Sequence, residues 1–157
     1  MKKRSEIKRV FKDCRHPGNQ YLLRNDVTDD SDVSFLYRYE GKSWDEIDSK
    51  VLVIEGSCLS ALSDAGLHYV IPAYLAEFSD EDHEDPNGWA DRLLLVLAEK
   101  GRGNLQFSQP QSAIINEVFL AEMHDCWRRY GEIGTSVGLE DGRLVAAVRL
   151  NYRSASL

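Results

Sequence analysis

Apolar residues recur every three or four positions over residues 4–15, and charged residues fill the positions between them. This spacing is typical of an amphipathic helix that packs one face against a core. His16, Pro17 and Gly18 follow, and they predict the end of this helix. Its predicted apolar face consists of Ile7, Val10, Phe11 and Cys14.

A capping box predicts where the next helix begins. Ser43 stands three positions before Glu46, so that the serine hydroxyl and the glutamate side chain can each bond to the other residue's backbone N–H. We therefore expect a helix that begins at Trp44. Its inner face would continue through Ile54 until Gly56 loosens it.

Ser63 is placed to cap another helix, which carries apolar residues from Leu67 to Phe78. Pro72 lies inside this stretch, where it removes one backbone hydrogen bond and clashes with the carbonyl four residues back. The sequence therefore predicts a helix with a kink near His68.

The remaining segments complete a mainly α prediction. Residues 89–97 and 108–130 have helical spacing, and the second of these is the longest apolar stripe and the expected central helix. Residues 25–32 are typical of a loop, and residues 34–39 fit either a short strand or an extended arm. Residues 131–157 fit either a small β-hairpin, which we favour, or a helix. We predict a single compact domain, 1–157, of about five helices.

Charge and cysteine content limit the class of protein. The chain of 157 residues has a formal net charge of −7 and three widely spaced cysteines, which favours a cytoplasmic protein without a disulfide framework. Nucleic acid is not expected as a partner, because the negative field of the protein repels phosphates. The longest apolar run, Leu93 to Ala98, is far shorter than the roughly 20 residues of a membrane-spanning helix, and a secretory signal peptide is not expected. Seven of the 19 basic residues lie in the first 15 positions, which we interpret as a solvated helix face.

A series of short motifs resembles an uncharacterised bacterial domain-of-unknown-function family over residues 4–130. The motifs are Pro17-Gly18, then Gly41-Lys42-Ser43-Trp44, then a Leu-Ser-x-Leu-Ser to Pro-Ala-Tyr-Leu core from Leu59 to Leu75. The sequence departs from the family at Ala65 and Gly66, where the family has larger residues. The resemblance implies a compact, mainly helical bacterial protein, and it assigns no catalytic residue.

The usual catalytic and metal-binding patterns are missing from the sequence. His124 and Cys126 would point apart on a helix, and no Cys-x-x-Cys or His-Glu-x-x-His spacing occurs. Asp80, Asp82 and Glu84 imitate a calcium-binding loop, but Asp85 stands where the sharp turn requires glycine. We therefore predict no catalytic residue, no metal and no cofactor, and we favour a protein that is not an enzyme.

Two candidate sites remain. The first is an acidic surface beside an aromatic anchor, suited to a basic protein partner; its residues are Asp80, Glu81, Asp82, Glu84, Asp85 and Trp89. It leads to the hypothesis of a protein-binding module, in sharper form a bacterial immunity protein that neutralises a basic toxin. The second is a pocket at the kink, formed by His68, Tyr69 and Tyr74, which would instead indicate a small enzyme or a small-ligand-binding protein.

Overall fold

The structure is a computed structural model, and it describes residues 2–27, 36–48, 50–52, 56–79, 93, 96, 105–118, 133–140 and 143–150. The chain divides into two compact units, residues 1–93 and 94–157. The first unit contains helices α1 (Lys2–Val10), α2 (Asn19–Leu22), α3 (Leu36–Tyr39) and α4 (Asp64–Phe78), and two 3-10 turns (Trp44–Glu46 and Gly56–Ala61). The prediction of a single domain stays a prediction.

Helix α4 is the centre of the first unit. It is apolar on nearly every side, with eleven of its 15 residues buried, and such a helix is stable only when other elements cover it. The Ser63 hydroxyl accepts a hydrogen bond from the Gly66 N–H at 3.0 Å, which confirms the predicted N-cap. Pro72 lies within the helix, which runs from Asp64 to Phe78. The kink predicted near His68 stays a prediction.

Helix α1 has the predicted apolar face and packs against α4. Ile7, Phe11 and Cys14 are buried and Val10 is half-buried. The helix ends at Val10 rather than at residue 15. The chain then continues in turns closed by the Phe11 N–H to Ile7 carbonyl and Cys14 N–H to Phe11 carbonyl bonds, both 2.9 Å, so that the apolar face extends beyond the helix.

The segment after α2 pairs with the segment before α4. Leu23 and Leu62 form an isolated antiparallel bridge. The Arg24 N–H donates to the Ala61 carbonyl at 2.9 Å, and the Ser63 N–H donates to the Leu22 carbonyl at 3.0 Å. These bonds fix α2 beside the N-terminus of α4.

The structure corrects two predictions between residues 34 and 54. Leu36–Tyr39 is a turn of helix, not a strand or an extended arm, and it places Tyr39 in the core with 2% exposure. The predicted helix does begin at Trp44, but it is a 3-10 turn of three residues that ends where Ile47 adopts an extended backbone. Residues 50–52 are helical again, and residues 53–55 lie outside the described part.

The second unit contains a helix at 109–118 and two strands. Ser108 and Gln111 cap the helix reciprocally, because the Ser108 N–H donates to Gln111 Oε1 at 2.9 Å and the Gln111 N–H donates to Ser108 Oγ at 3.4 Å. The residues predicted on its apolar face, as far as the description extends, are buried: Ile114, Ile115 and Val118. Strand β1 (Ile133–Glu140) pairs antiparallel with β2 (Arg143–Leu150), with Glu140 opposite Arg143.

The mainly α class is confirmed over the described residues. Among those residues, no helix is both long enough and apolar enough to cross a membrane.

Candidate functional site

The acidic segment, residues 40–48, presents four carboxylates to solvent. Glu40, Asp45, Glu46 and Asp48 are all exposed, whereas Trp44 and Ile47 between them are buried. The buried residues attach the segment to the core, and the charged residues therefore face outward. Such a surface attracts positively charged groups.

Trp44 anchors this segment to the first helix. Its indole N–H donates to the Phe11 carbonyl at 3.1 Å in a buried contact, and Trp44 itself is 4% exposed. The Lys8 ammonium lies 3.1 Å from the Asp45 carboxylate. One of the four carboxylates is thus paired with a lysine of the same unit.

Local hydrogen bonds hold three of the four carboxylates in place. The Glu46 side chain accepts the Ser43 N–H at 2.8 Å, as the capping box predicts. The Ser43 hydroxyl lies 2.6 Å from Asp45 Oδ1 and 2.9 Å from Glu46 Oε2, and it can donate to either. The Lys50 N–H donates to Asp48 Oδ1 at 2.8 Å. A partner would meet these charges already oriented, which reduces the entropy lost on binding.

The same bonds keep two carboxyl groups ionised. The N–H and then the hydroxyl of Ser43 lower the pKa of Glu46, since both hydrogen bonds favour the charged form. The Ser43 hydroxyl also lowers the pKa of Asp45, with further help from Lys8 and against a smaller opposing effect of burial. Both groups therefore stay ionised to a lower pH than a free carboxyl group does.

The predicted partner-binding residues lie outside the described residues. They are Asp80, Glu81, Asp82, Glu84, Asp85 and Trp89. The acidic segment at 40–48 was missed by sequence reasoning, although a signal was present. Residues 25–91 contain 17 acidic residues and only three basic ones, so position 82 is one part of a longer acidic stretch.

The residues of the predicted pocket are placed among packed side chains. Tyr69 and Tyr74 have no exposed surface. Their hydroxyls donate to the backbone carbonyls of Lys42 and Leu52, each at 3.0 Å, and burial raises the pKa of Tyr69. These bonds tie α4 to the chain between residues 42 and 52. A ligand-binding role for the predicted trio stays a prediction.

His68, the third member, contacts Cys14. The Cys14 thiol lies 3.7 Å from His68 Nδ1, and it donates to the His68 carbonyl at 3.4 Å. This carbonyl is the group that an ordinary residue at position 72 would bond, but Pro72 has no N–H to donate. The thiol thus satisfies an acceptor that the proline leaves free.

The electrostatics of this pair do not suit nucleophilic catalysis. Burial raises the pKa of the Cys14 thiol to about 11, and burial lowers the pKa of His68. A catalytic cysteine needs the opposite arrangement, with a thiolate favoured beside a cationic group. Cys14 therefore acts as a buried hydrogen-bond donor.

Over the part of the chain that the structure describes, no group of three or more His, Cys, Asp or Glu side chains has a metal-binding arrangement.

No protein-family model matches the sequence, and comparisons with curated proteins and with solved structures find no match. The resemblance to a bacterial domain-of-unknown-function family stays a prediction.

Proposed function

We propose that this protein is a non-enzymatic protein-binding module whose partner is a basic protein. In its sharper form, the proposal is a bacterial immunity protein that neutralises a basic toxin in the cytoplasm. The observation that carries the proposal is the acidic segment, in which Glu40, Glu46 and Asp48 are exposed. Hydrogen bonds from backbone N–H groups hold Glu46 and Asp48.

The charge distribution over the whole chain supports the proposal. The net charge is −7, and the acidic excess is concentrated between residues 25 and 91. A field of one sign accelerates encounter with an oppositely charged partner and disfavours other partners. A nuclease toxin fits this description because its active site must itself attract phosphate groups.

The chemistry of the described interior also supports a binding role. Burial suppresses the thiolate of Cys14, and the hydroxyls of Tyr69 and Tyr74 are used in structural hydrogen bonds. These groups stabilise the scaffold that presents the acidic segment.

Charge reversal tests the proposal. The full chain is used to capture proteins from the native host in three forms: unmodified, with Asp82→Lys and Glu84→Lys, and with Glu40→Lys and Asp48→Lys. We expect a basic protein in the first capture that is lost or strongly reduced with one or both variants. We expect the melting temperature to be unchanged with Asp82→Lys and Glu84→Lys. With Glu40→Lys and Asp48→Lys it should fall by no more than about 4 °C, because Asp48 loses its hydrogen bond to the Lys50 N–H, a loss of about 1 kcal/mol.

A matched control separates a specific surface from total charge. Glu6→Lys with Asp13→Lys changes the net charge equally, but on exposed positions of the basic first segment. This control should retain the partner. If all three pairs reduce capture equally, or if neither test pair reduces it, the proposed surface is wrong.

A further inference from the structure

A cleft of about 250 Å³ opens in the first unit between α1, the chain at residues 44–52, and α4. Trp44, Leu52 and Ala76 lie beneath it, and each is at most 4% exposed. The surface that a ligand can reach therefore belongs largely to the charged residues of the lining. The volume is below the roughly 300–1,000 Å³ of sites for drug-sized ligands, so it suits a small metabolite.

Three charged side chains from three elements meet at this cleft: Arg4 from α1, Asp45 from the 3-10 turn, and Glu77 from α4. Arg4 is exposed and makes no ion pair or hydrogen bond with any part of the described chain. Asp45 is paired with Lys8 at 3.1 Å, and Glu77 is half-buried. The four formal charges of Arg4, Lys8, Asp45 and Glu77 sum to zero.

This arrangement matches a ligand that carries one charge of each sign. A guanidinium forms two parallel hydrogen bonds with a carboxylate, which a lysine ammonium cannot do. The carboxylates of Asp45 and Glu77 accept hydrogen bonds from an ammonium group. A purely anionic ligand would be repelled by these two carboxylates, and a purely cationic ligand would be repelled by Arg4 and Lys8.

We propose that the cleft binds a free α-amino acid with a small or polar side chain, with its carboxylate on Arg4 and its ammonium group toward Asp45 and Glu77. Only a small or polar side chain fits, because the apolar residues beneath the cleft expose little surface. The cleft shares Asp45 with the acidic segment, but Arg4 lies outside that segment, so the Arg4 variants test the cleft separately from the protein partner.

Isothermal titration calorimetry of the full chain at low ionic strength tests the site. The probes are L-serine and L-glutamine, together with ethanolamine and 3-hydroxypropionate, which are serine without its carboxylate and serine without its ammonium group. We expect at least one amino acid to bind with a millimolar or lower Kd. Both single-charge analogues should bind at least about tenfold more weakly, the loss of one charge-assisted hydrogen bond.

Variants identify the residues. Arg4→Gln should weaken binding of the amino acid about tenfold or more but should not weaken ethanolamine, because it removes a charge that repels this cation. Arg4→Lys should give a smaller loss for the amino acid. Glu77→Gln should weaken ethanolamine as well. Arg9→Gln is the matched control, since Arg9 is an arginine of the same helix with a 73% exposed side chain, and it should bind as the unmodified protein does.

Three results would overturn the inference. They are no binding heat from L-serine or L-glutamine at about 10 mM, equal binding of the amino acid and its single-charge analogues, or equal effects of Arg4→Gln and Arg9→Gln. A thermal melt of each variant excludes misfolding. Arg4 is exposed and without partners in the described chain, so its replacement is expected to leave the melting temperature unchanged.

Discussion

Gly66→Ala tests the packing that joins α2 to α4. Gly66 is buried in the first turn of α4. A methyl group added there would overlap the Leu22 carbonyl oxygen and lie 3.1 Å from the Leu22 carbonyl carbon and 3.3 Å from Leu62 Cδ2. The overlapping atom is backbone, and it already accepts the Ser63 N–H at 3.0 Å. It cannot move without weakening that bond.

The expected loss follows from three contributions. Overpacking a core costs up to about 3 kcal/mol, and the weakened hydrogen bond costs about 1 kcal/mol more. Replacing a helical glycine by alanine stabilises the helix by about 1 kcal/mol. We expect Gly66→Ala to lower the free energy of unfolding by about 3 kcal/mol, or the melting temperature by about 6–12 °C at this chain length.

Urea unfolding followed by circular dichroism measures the change. Ala65→Ser is the matched control, because it adds one heavy atom at the neighbouring exposed position and should change stability by less than about 0.5 kcal/mol. A Gly66→Ala protein as stable as the unmodified one would show that helix propensity outweighs the contact, and the reasoning about this junction would be wrong.

Three further predictions concern the core and its titratable groups. Cys14, whose pKa is about 11, should react with iodoacetamide at pH 7.5 at least about 100-fold more slowly than a free cysteine of pKa about 8.5; peptide mass spectrometry measures this, and a rate like that of free cysteine contradicts it. Tyr74→Phe should cost about 1–2 kcal/mol in urea unfolding, because the buried Leu52 carbonyl loses its donor, and a neutral result would show that the bond contributes nothing. Burial lowers the pKa of His16 and of His68 below 6.5, so the unfolded state binds more protons just below pH 6.5 and the free energy of unfolding should fall as pH drops from 7.5 to 5.5. His68→Gln should reduce that fall, and stability that rises on acidification would contradict the assignment.

Capping residues and apolar periodicity predicted where two helices begin and which face of α1 is buried. Ser63 caps α4, and Ser108 caps the helix at 109–118. Each serine side chain accepts a hydrogen bond from a first-turn N–H that has no carbonyl partner within the helix. The α1 face was also correct at Ile7 and Phe11. These signals need only residues close in sequence.

The predictions failed where long-range contacts decide the backbone. The capping box at Ser43 is compatible with a 3-10 turn as well as with an α-helix, and local sequence does not distinguish the two. Trp44 is held by the Phe11 carbonyl, and the tyrosines of α4 reach the carbonyls of Lys42 and Leu52. These bonds join residues that are 22 to 33 positions apart, and the apolar pattern does not predict them.

The acidic segment could likewise be predicted from the sequence only in part. The acidic character of the middle of the chain follows from counting residues, but the exposure of Glu40, Glu46 and Asp48 depends on the fold. The glycine at position 66 has a physical reason, because a side chain there would overlap the Leu22 carbonyl oxygen. That contact lies 44 positions back along the chain, so local sequence does not reveal it.

The dependence of partner affinity on salt measures whether exposed carboxylates attract the partner. For the basic protein captured with the unmodified chain, Kd is measured between about 50 and 500 mM NaCl, a range over which the Debye length falls from about 14 to 4 Å. If exposed carboxylates attract the partner, Kd should rise at least about tenfold across this range, and the Glu40→Lys, Asp48→Lys variant should show a weaker dependence. An affinity that is independent of salt, and equal in the variant, would contradict the account.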